Sequence, residues 1–310
     1  MAYDIDNKLV IAIASSALFD LKESDEIFKT KGLEKYKEYQ EKNIDKKLEK
    51  GVAFPFIERL LSLNNLLPNQ PLIEVILLSR NSIETGLRVF RSIDKYGLDI
   101  SRAAFFSGGS PYKYIPAFNA SIFLSANEED VRAALSEGYP AGRVLGSTTI
   151  EEIQEDEFRI AFDFDGVIAG DESEKVYKEK GIDEYRENER KHASEPLELG
   201  PVGGLLKKIS NIQKLERKLV LGKSDYKPKL RTSIVTARNA PAHERVITTL
   251  KEWGIEVDEA FFMGGIEKKK VLDIMKPHIF FDDQETHLKG LTNVPSVHIP
   301  FGVANLKQGE

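Results

Sequence analysis

Cysteine is absent from the 310-residue sequence, which excludes disulfide bonds and Cys-ligated zinc or redox sites. The five histidines are scattered and show no His-Glu-x-x-His spacing. No apolar run approaches the roughly 20 residues that a transmembrane helix needs. Residues 1–10 also lack the basic-then-apolar pattern of an export signal. We therefore expect a cytoplasmic protein that does not enter a membrane.

Excess positive charge is also absent, because the formal net charge is -6. A chain of this sign is a poor partner for the nucleic-acid backbone, so nucleic acid is not expected as the main ligand. The apolar fraction of 41% is enough to build a core, and 30% charged residues suit an ordinary surface. The length fits one large domain or two domains of roughly 150 residues.

Short apolar segments alternate with charged or amphipathic segments along the chain. The pattern predicts strands near residues 8–15, 72–78, 120–124, 159–164, 233–235 and 279–281. Helical patterns fill the intervals. Strands that alternate with helices predict an α/β fold, Rossmann-like, with a mainly parallel sheet covered by helices on both faces.

The two halves of the chain resemble each other. At an offset of 149 residues (160 − 11), Ile11 aligns with Ile160, and the register then continues without a gap over a long span. After the offset drifts by several residues, Arg80 aligns with Arg238. Chance matches rarely hold one register this long, so we infer an internal duplication. The predicted halves are residues 1–150 and 151–310.

The first half lacks the carboxylates of the second. Ala14 and Ser16 stand where the second half has Asp163 and Asp165. The other polar positions change as well: Leu78 aligns with Thr236, and Ser125-Ala126 aligns with Asp282-Asp283. The fold does not need these acids, so chemistry explains them better than architecture does.

Polar side chains follow three predicted strands of the second half: Asp163 and Asp165, Thr236, and Asp282 with Asp283. The carboxyl ends of parallel strands meet at one edge of a sheet, where open α/β sheets bind ligands. Four carboxylates gathered there repel one another unless a cation holds them, and oxygen ligands suit Mg²⁺. Lys268 adds a positive charge at the same edge.

Each of these features also has a simpler interpretation. An Asp-x-Asp at a strand end is often only a turn or a helix cap, and the run Lys268-Lys269-Lys270 is typical of solvated surface. Asp283 is either a metal ligand or a support for Lys268. Arg238 either reaches a phosphate or pairs with a nearby acid. The combination and order of the motifs, rather than any one of them, favour a catalytic site.

The motifs carry a family resemblance. Asp163-Phe164-Asp165-Gly166-Val167, Thr236, Lys268 and Asp282-Asp283 resemble, in order and type, the four motifs of haloacid dehalogenase (HAD) superfamily phosphatases. The longer block at residues 234–245, Ile-Val-Thr-Ala-Arg-Asn-Ala-Pro-Ala-His-Glu-Arg, is similar to the cytosolic 5′-nucleotidase type I family. The segments Ser15–Asp20, Leu78–Ser82 and Phe280–Gln284 are similar to the same family, so the resemblance covers nearly the whole chain.

The resemblance implies a HAD-like fold with a small cap insertion at about residues 171–229. It also implies Mg²⁺-dependent hydrolysis of nucleoside 5′-monophosphates such as AMP. Asp163 would attack the phosphorus and form an aspartyl phosphate, and Asp165 would serve as general acid and base. The implied metal ligands are Asp163, Asp165, Asp282 and Asp283. The implied substrate-binding residues are Gly166, Thr236, Ala237, Arg238 and Lys268, with Thr236 and Lys268 also assisting catalysis.

Other functions stay open at this point. The protein could hydrolyse another small phosphate ester, or bind a nucleotide as a regulator without hydrolysing it. The first half could complete the core, form a homo-oligomer interface or bind an effector nucleotide. The residues that would line such an effector pocket are Arg80, Asn81, Ser107, Ser110 and Lys113. Neither the preferred base and sugar nor the oligomeric state follows from the sequence.

Overall fold

The structure is a computed structural model, and it describes residues 4–146, 157–221 and 227–306. The chain forms two compact units, unit 1 (Met1–Val144) and unit 2 (Leu145–Glu310). The division predicted between residues 150 and 151 lies outside the described residues. Within the described part of the chain, no helix is both long enough and apolar enough to span a membrane.

Unit 1 is built on five parallel strands: β1 (Leu9–Ile13), β4 (Ile73–Ser79), β5 (Arg102–Phe105), β6 (Ile122–Ser125) and β7 (Ala141–Leu145). Their order is β7-β6-β1-β4-β5, so the first strand is central. Leu9 of β1 pairs with Ile73 of β4, and Ile11 pairs with Ile122 of β6. All residues of β1 are buried, as expected for a strand that helices cover on both faces. A short antiparallel pair, β2 (Phe19–Asp20) and β3 (Glu49–Lys50), forms a separate two-stranded sheet.

The α-helices described in unit 1 are α1 (Ser15–Leu18), α2 (Lys22–Lys42), α3 (Phe54–Ser62), α4 (Ile83–Tyr96) and α5 (Glu128–Ser136). Helix α2 is interrupted at Gly32, where φ is 79°. This left-handed conformation favours glycine, which has no Cβ to clash. Helix α4 is capped at its N-terminus by Ser82, whose side chain accepts a hydrogen bond from the Thr85 amide, and at its C-terminus by Gly97, which is also left-handed.

Unit 2 repeats this arrangement. Its parallel strands are β8 (Phe158–Phe162), β9 (Leu230–Thr236), β10 (Glu259–Phe262), β11 (Ile279–Asp282) and β12 (Ser296–His298). Their order is β10-β9-β8-β11-β12, which again places the first strand in the centre. Phe158 pairs with Leu230, and Ile160 pairs with Ile279. The central strand β8 therefore lies between the two strands that end at Thr236 and Asp282.

The α-helices described in unit 2 are α6 (Glu172–Lys180), α7 (Ile182–Lys191), α8 (Gly203–Val220), α9 (His243–Glu252), α10 (Lys268–Met275) and α11 (Glu285–Leu288). Gly181 separates α6 from α7 with a φ of 86°, at the position that aligns with Gly32 of α2. Helices α6, α7 and α8 fill the segment between β8 and β9, where the cap insertion is predicted. Residues 222–226 of that segment lie outside the described residues.

The prediction of an α/β fold with mainly parallel strands is confirmed. The boundaries of single elements were less accurate. The strand predicted at 159–164 ends at Phe162, and Asp163 begins the turn that follows. The strand predicted at 233–235 extends over Leu230–Thr236 because Leu230 and Thr232 are buried with the apolar residues.

Candidate active site

The turn after β8 carries the Asp-x-Asp motif at the carboxyl end of the sheet. The Asp163 side chain accepts a hydrogen bond from the Phe164 amide at 2.7 Å, which fixes one carboxylate oxygen. Gly166 then adopts a φ of +69°, and a Cβ there would lie 2.7 Å from Asp283 Oδ2. Glycine is thus required both for the turn and for the close approach of Asp283.

Lys268 lies between two of the predicted acids. Its Nζ is 2.6 Å from Asp163 Oδ2 and 2.7 Å from Asp282 Oδ2. All three side chains are buried. His287 Nδ1 contacts Asp282 Oδ1 at 3.1 Å. The first residue of α10 and the ends of two neighbouring strands therefore build one charged cluster.

Asp283 lies in this cluster without a hydrogen-bond partner for either carboxylate oxygen, although its side chain is buried. Burial raises the pKa of Asp283 to about 10, and the Asp163 and Asp282 charges add to the shift. Burial also raises the pKa of Asp163 to about 7, against the opposing effect of Lys268. For Asp282, Lys268 and His287 outweigh burial and hold the pKa below its ordinary value.

The charge balance of the cluster fits a bound cation. Two carboxylates (Asp163 and Asp282) contact the Lys268 ammonium group, and the buried Asp283 carboxylate interacts electrostatically with all three, so the fully ionised cluster would carry two excess negative charges (three minus one). Ligand atoms of Asp163, Asp282 and His287 all lie within 4.8 Å of one another. The carboxylate oxygens of Asp163 and Asp282 suit Mg²⁺, and the unpartnered oxygens of Asp283 add acceptors to the same cluster.

The raised pKa values predict how pH changes the stability of the metal-free protein. Because Asp163 and Asp283 bind protons more tightly when folded than at their unfolded value of 3.8, the folded state holds more protons above that pH. The free energy of unfolding should therefore fall as pH rises, by about 1.4 kcal/mol per pH unit for each extra proton. Asp163 contributes to this fall in stability up to a pH near its pKa of about 7, and Asp283 contributes up to a pH near its pKa of about 10.

Chemical denaturation in EDTA at several pH values between about 5 and about 8 checks this prediction. Added Mg²⁺ should stabilise the protein most at the alkaline end, since it competes with protons for the same oxygens. A stability that is independent of pH in EDTA, and unaffected by Mg²⁺, would contradict the account of the cluster.

Arg238 holds the second acid of the motif. Its Nε donates to Asp165 Oδ2 at 2.7 Å and its Nη2 donates to Asp165 Oδ1 at 2.6 Å, a bidentate pair. The Arg238 amide donates to Thr236 Oγ1 at 3.2 Å, which ties this turn to the end of β9. Asp165 and Glu189 outweigh burial and raise the pKa of Arg238, which stays charged.

The structure brings the sequence-predicted site residues to the end of one sheet. Asp163, Lys268, Asp282 and Asp283 share the buried cluster, whereas Asp165 is paired with Arg238. The sequence allowed Arg238 either to reach a phosphate or to pair with a nearby acid, and the structure shows the pairing with an acid. Ala237 is exposed between Thr236 and Arg238.

Sequence reasoning missed two residues of the site. His287 contacts Asp282 from the short helix α11, and buried Glu189 contacts Arg238 from α7. His287 follows the Asp282-Asp283 motif, but its spacing from these acids does not match a pattern that indicates a metal site. Glu189 stands among many charged residues in a segment that reads as a solvated helix. Only the tertiary packing separates it from its exposed neighbours.

The corresponding end of unit 1 has a different hydrogen-bond pattern. Arg80 forms a bidentate pair with buried Asp130, at 2.8 Å and 2.7 Å, and Ser110 donates to the same carboxylate. Asn81 accepts a long hydrogen bond of 3.5 Å from the Tyr36 hydroxyl. Lys113 is exposed. Arg80 and Ser110 thus share one buried acid.

Comparison with known proteins identifies the class. The 5′-nucleotidase family matches residues 1–306, so the chain belongs to that family, which is part of the HAD superfamily. The chain is 35% identical to human Cytosolic 5′-nucleotidase 1B over 297 residues, which cover 94% of the chain and 48% of that protein. It therefore spans about half the length of this curated relative. The resemblance to cytosolic 5′-nucleotidases inferred from the motifs is confirmed.

A solved chain from the structure of a Pnkp1/Rnl/Hen1 complex aligns over 96% of this chain and 97% of its own length. The TM-score is 0.32 at 13% identity, which is too low to bear on the fold or the site.

Proposed function

We propose that the protein is a Mg²⁺-dependent 5′-nucleotidase that hydrolyses nucleoside 5′-monophosphates such as AMP to a nucleoside and phosphate. One observation carries the chemical part of this proposal: Lys268 joins Asp163 and Asp282 in a buried cluster that still contains the unpartnered carboxylate of Asp283. Membership of the 5′-nucleotidase family supports the substrate class.

Asp163 is the proposed nucleophile. One of its oxygens is fixed by the Phe164 amide, and the other faces Lys268. Attack on phosphorus forms the aspartyl phosphate and breaks the bond to the 5′-oxygen, which takes a proton from Asp165. Water then attacks the aspartyl phosphate, gives its proton to Asp165, and regenerates Asp163.

The remaining residues bind and orient the phosphoryl group. Thr236 and Lys268 donate hydrogen bonds to its oxygens, and the Lys268 charge stabilises the negative charge that develops there. Gly166 and Ala237 complete the proposed phosphate-binding loops, whereas the guanidinium of Arg238, also predicted to bind the substrate, is engaged by Asp165 and Glu189. Mg²⁺ would be held by the Asp163 and Asp282 carboxylates and the Asp165 backbone carbonyl, with Asp283 as a further ligand, and when bound it would polarise the phosphoryl oxygens.

A panel of phosphate esters tests the substrate class. We expect the purified protein to release phosphate from nucleoside monophosphates in the presence of Mg²⁺ and not in EDTA, with much slower release from sugar phosphates. Release from sugar phosphates alone would replace the nucleotidase by the alternative, a phosphatase for another small ester. Nucleotide binding without any release of phosphate would favour the regulator.

We also propose that the two units arose by duplication, with a catalytic half at residues 151–310 and a half without catalytic carboxylates at residues 1–150. The support is the identical strand order of the two units and the shared helix interruption at Gly32 and Gly181. The cap would be the segment at about residues 171–229. A cytoplasmic location is proposed from the name of the human relative.

An effector-nucleotide site in unit 1 stays a prediction. Arg80 and Ser110 would have to exchange their contact with Asp130 for the ligand. Binding of ADP to the Asp163→Asn protein, compared with the same protein carrying Arg80→Ala and Lys113→Ala, tests it. Equal affinity in both would count against the site. Assembly into a homo-oligomer is likewise a prediction, which sedimentation can test.

A further inference from the structure

Glu189 is fully buried at 0% exposure, on a helix whose other residues are mostly charged and accessible. Its carboxylate accepts hydrogen bonds from Arg238 Nη1, from Arg245 Nη1 at 3.1 Å and from Ser173 Oγ at 2.8 Å. A buried carboxylate with this many charged and polar donors is held in one place. Removal of its charge leaves two buried arginines with fewer partners.

Arg238 connects Glu189 to the second acid of the catalytic motif. Its side chain is 2% exposed and donates to Asp165 with one edge and to Glu189 with the other. Nη1 also donates to the Ala242 carbonyl at 3.3 Å. Because the guanidinium is planar and rigid, the position of Glu189 determines where Arg238 holds the Asp165 carboxylate.

Unit 1 shows that the fold does not require a charge at the Glu189 position. The aligned residue is Gln40 (189 − 149), which is also buried and accepts from Arg88 Nη1 at 3.1 Å, as Glu189 accepts from Arg245. Unit 1 has Ser16 where unit 2 has Asp165. The glutamate thus occurs in the unit where an arginine must be held against a catalytic acid.

We propose that Glu189 is a positioning residue that anchors Arg238, so that the guanidinium holds the Asp165 carboxylate in the orientation for proton transfer to the leaving 5′-oxygen. The inference rests on the proposed nucleotidase function. It assigns to α7, in the predicted cap segment, a role in aligning the general acid.

Substrates with different leaving groups distinguish a positioning role of Glu189 from a purely structural one. A structural role would change kcat/KM equally for both kinds of substrate. When the bond from phosphorus to the 5′-oxygen of AMP breaks, the nucleoside alkoxide is a poor leaving group and needs the proton of Asp165. When the bond to oxygen of p-nitrophenyl phosphate breaks, the phenolate leaves as the anion without a proton. The value of kcat/KM reports steps only up to this departure, so the later hydrolysis of the aspartyl phosphate does not enter.

The experiment compares kcat/KM for AMP and p-nitrophenyl phosphate in the Mg²⁺-loaded wild-type protein and in Glu189→Gln. We expect kcat/KM for AMP to fall about 10-fold to 100-fold, as for a misplaced acid, while that for the aryl phosphate changes less than about twofold. An equal loss for both substrates, or no loss for either, would overturn the inference.

Two further variants serve as controls for this experiment. Gln40→Ala, the matched change in unit 1, should leave the ratio of the two kcat/KM values unchanged. Glu189→Gln leaves the buried Arg238 and Arg245 side chains without the negative charge of Glu189, which could unfold the protein. In that case the double variant Glu189→Gln with Arg245→Gln restores the charge balance and should show the same loss of kcat/KM for AMP alone. A wild-type protein that hydrolyses neither ester would instead refute the proposed function.

Discussion

Replacement of Asp163 by asparagine is expected to abolish phosphate release from AMP, with a loss of at least about 10⁴-fold in kcat. The amide has nearly the same shape as the carboxylate but is a far weaker nucleophile, so no aspartyl phosphate can form. The fold should persist, because Ala14 occupies the aligned position of unit 1 in an otherwise similar strand end. Steady-state phosphate release and a denaturation curve measure the two effects.

Unit 1 already has alanine at the position that aligns with Asp163, so the control for this prediction is Ser16→Ala, at the position that aligns with Asp165. This variant should keep wild-type activity, since unit 1 has no carboxylates at the aligned positions of its strand ends. Full activity in Asp163→Asn would remove the proposed nucleophile. A complete loss of activity in Ser16→Ala would show that unit 1 takes part in catalysis, contrary to the prediction.

Replacement of Lys268 by methionine should lower both activity and stability. Methionine fills a similar volume but leaves Asp163 and Asp282 without the ammonium group that now contacts both. We expect kcat/KM to fall about 10²-fold to 10³-fold because a charge that stabilises the phosphoryl group is lost. In EDTA at alkaline pH the free energy of unfolding should fall by about 3–5 kcal/mol, since buried carboxylates lose their partner.

Lys270→Met is the control, because Lys270 is exposed two residues further along the same helix. It should change neither quantity. Mg²⁺ should recover part of the stability of Lys268→Met, as a cation replaces the missing positive charge in the cluster. A Lys268→Met protein that is as stable and as active as Lys270→Met would show that the contact is incidental.

The sequence was sufficient to predict the α/β class, the parallel strands and the acids at their ends. These features depend on local patterns: an apolar run buried on both faces, then a polar turn. The aligned halves added the information that Ala14 and Ser16 replace the acids in unit 1. This difference indicates from the sequence alone that the acids of unit 2 serve chemistry.

The contacts of Lys268, Arg238 and Glu189 could not be predicted in the same way. Lys268 begins a run of three lysines and is buried only because α10 starts beside two strand ends. Arg238 had two equal interpretations, and its pairing with Asp165 depends on how two loops approach each other. Glu189 is one of several acids in α7, and only the fold determines which of them faces inward.

The stereochemistry at phosphorus tests the central claim most directly, because it reports whether a covalent intermediate forms during hydrolysis. A nucleoside 5′-phosphorothioate made chiral at phosphorus with two oxygen isotopes would be hydrolysed with Mg²⁺ in water of the third isotope, so that the thiophosphate product is itself chiral. Two in-line displacements, first by Asp163 and then by water, predict overall retention of configuration. Inversion would show a single displacement by water and would contradict the role of Asp163 as the nucleophile.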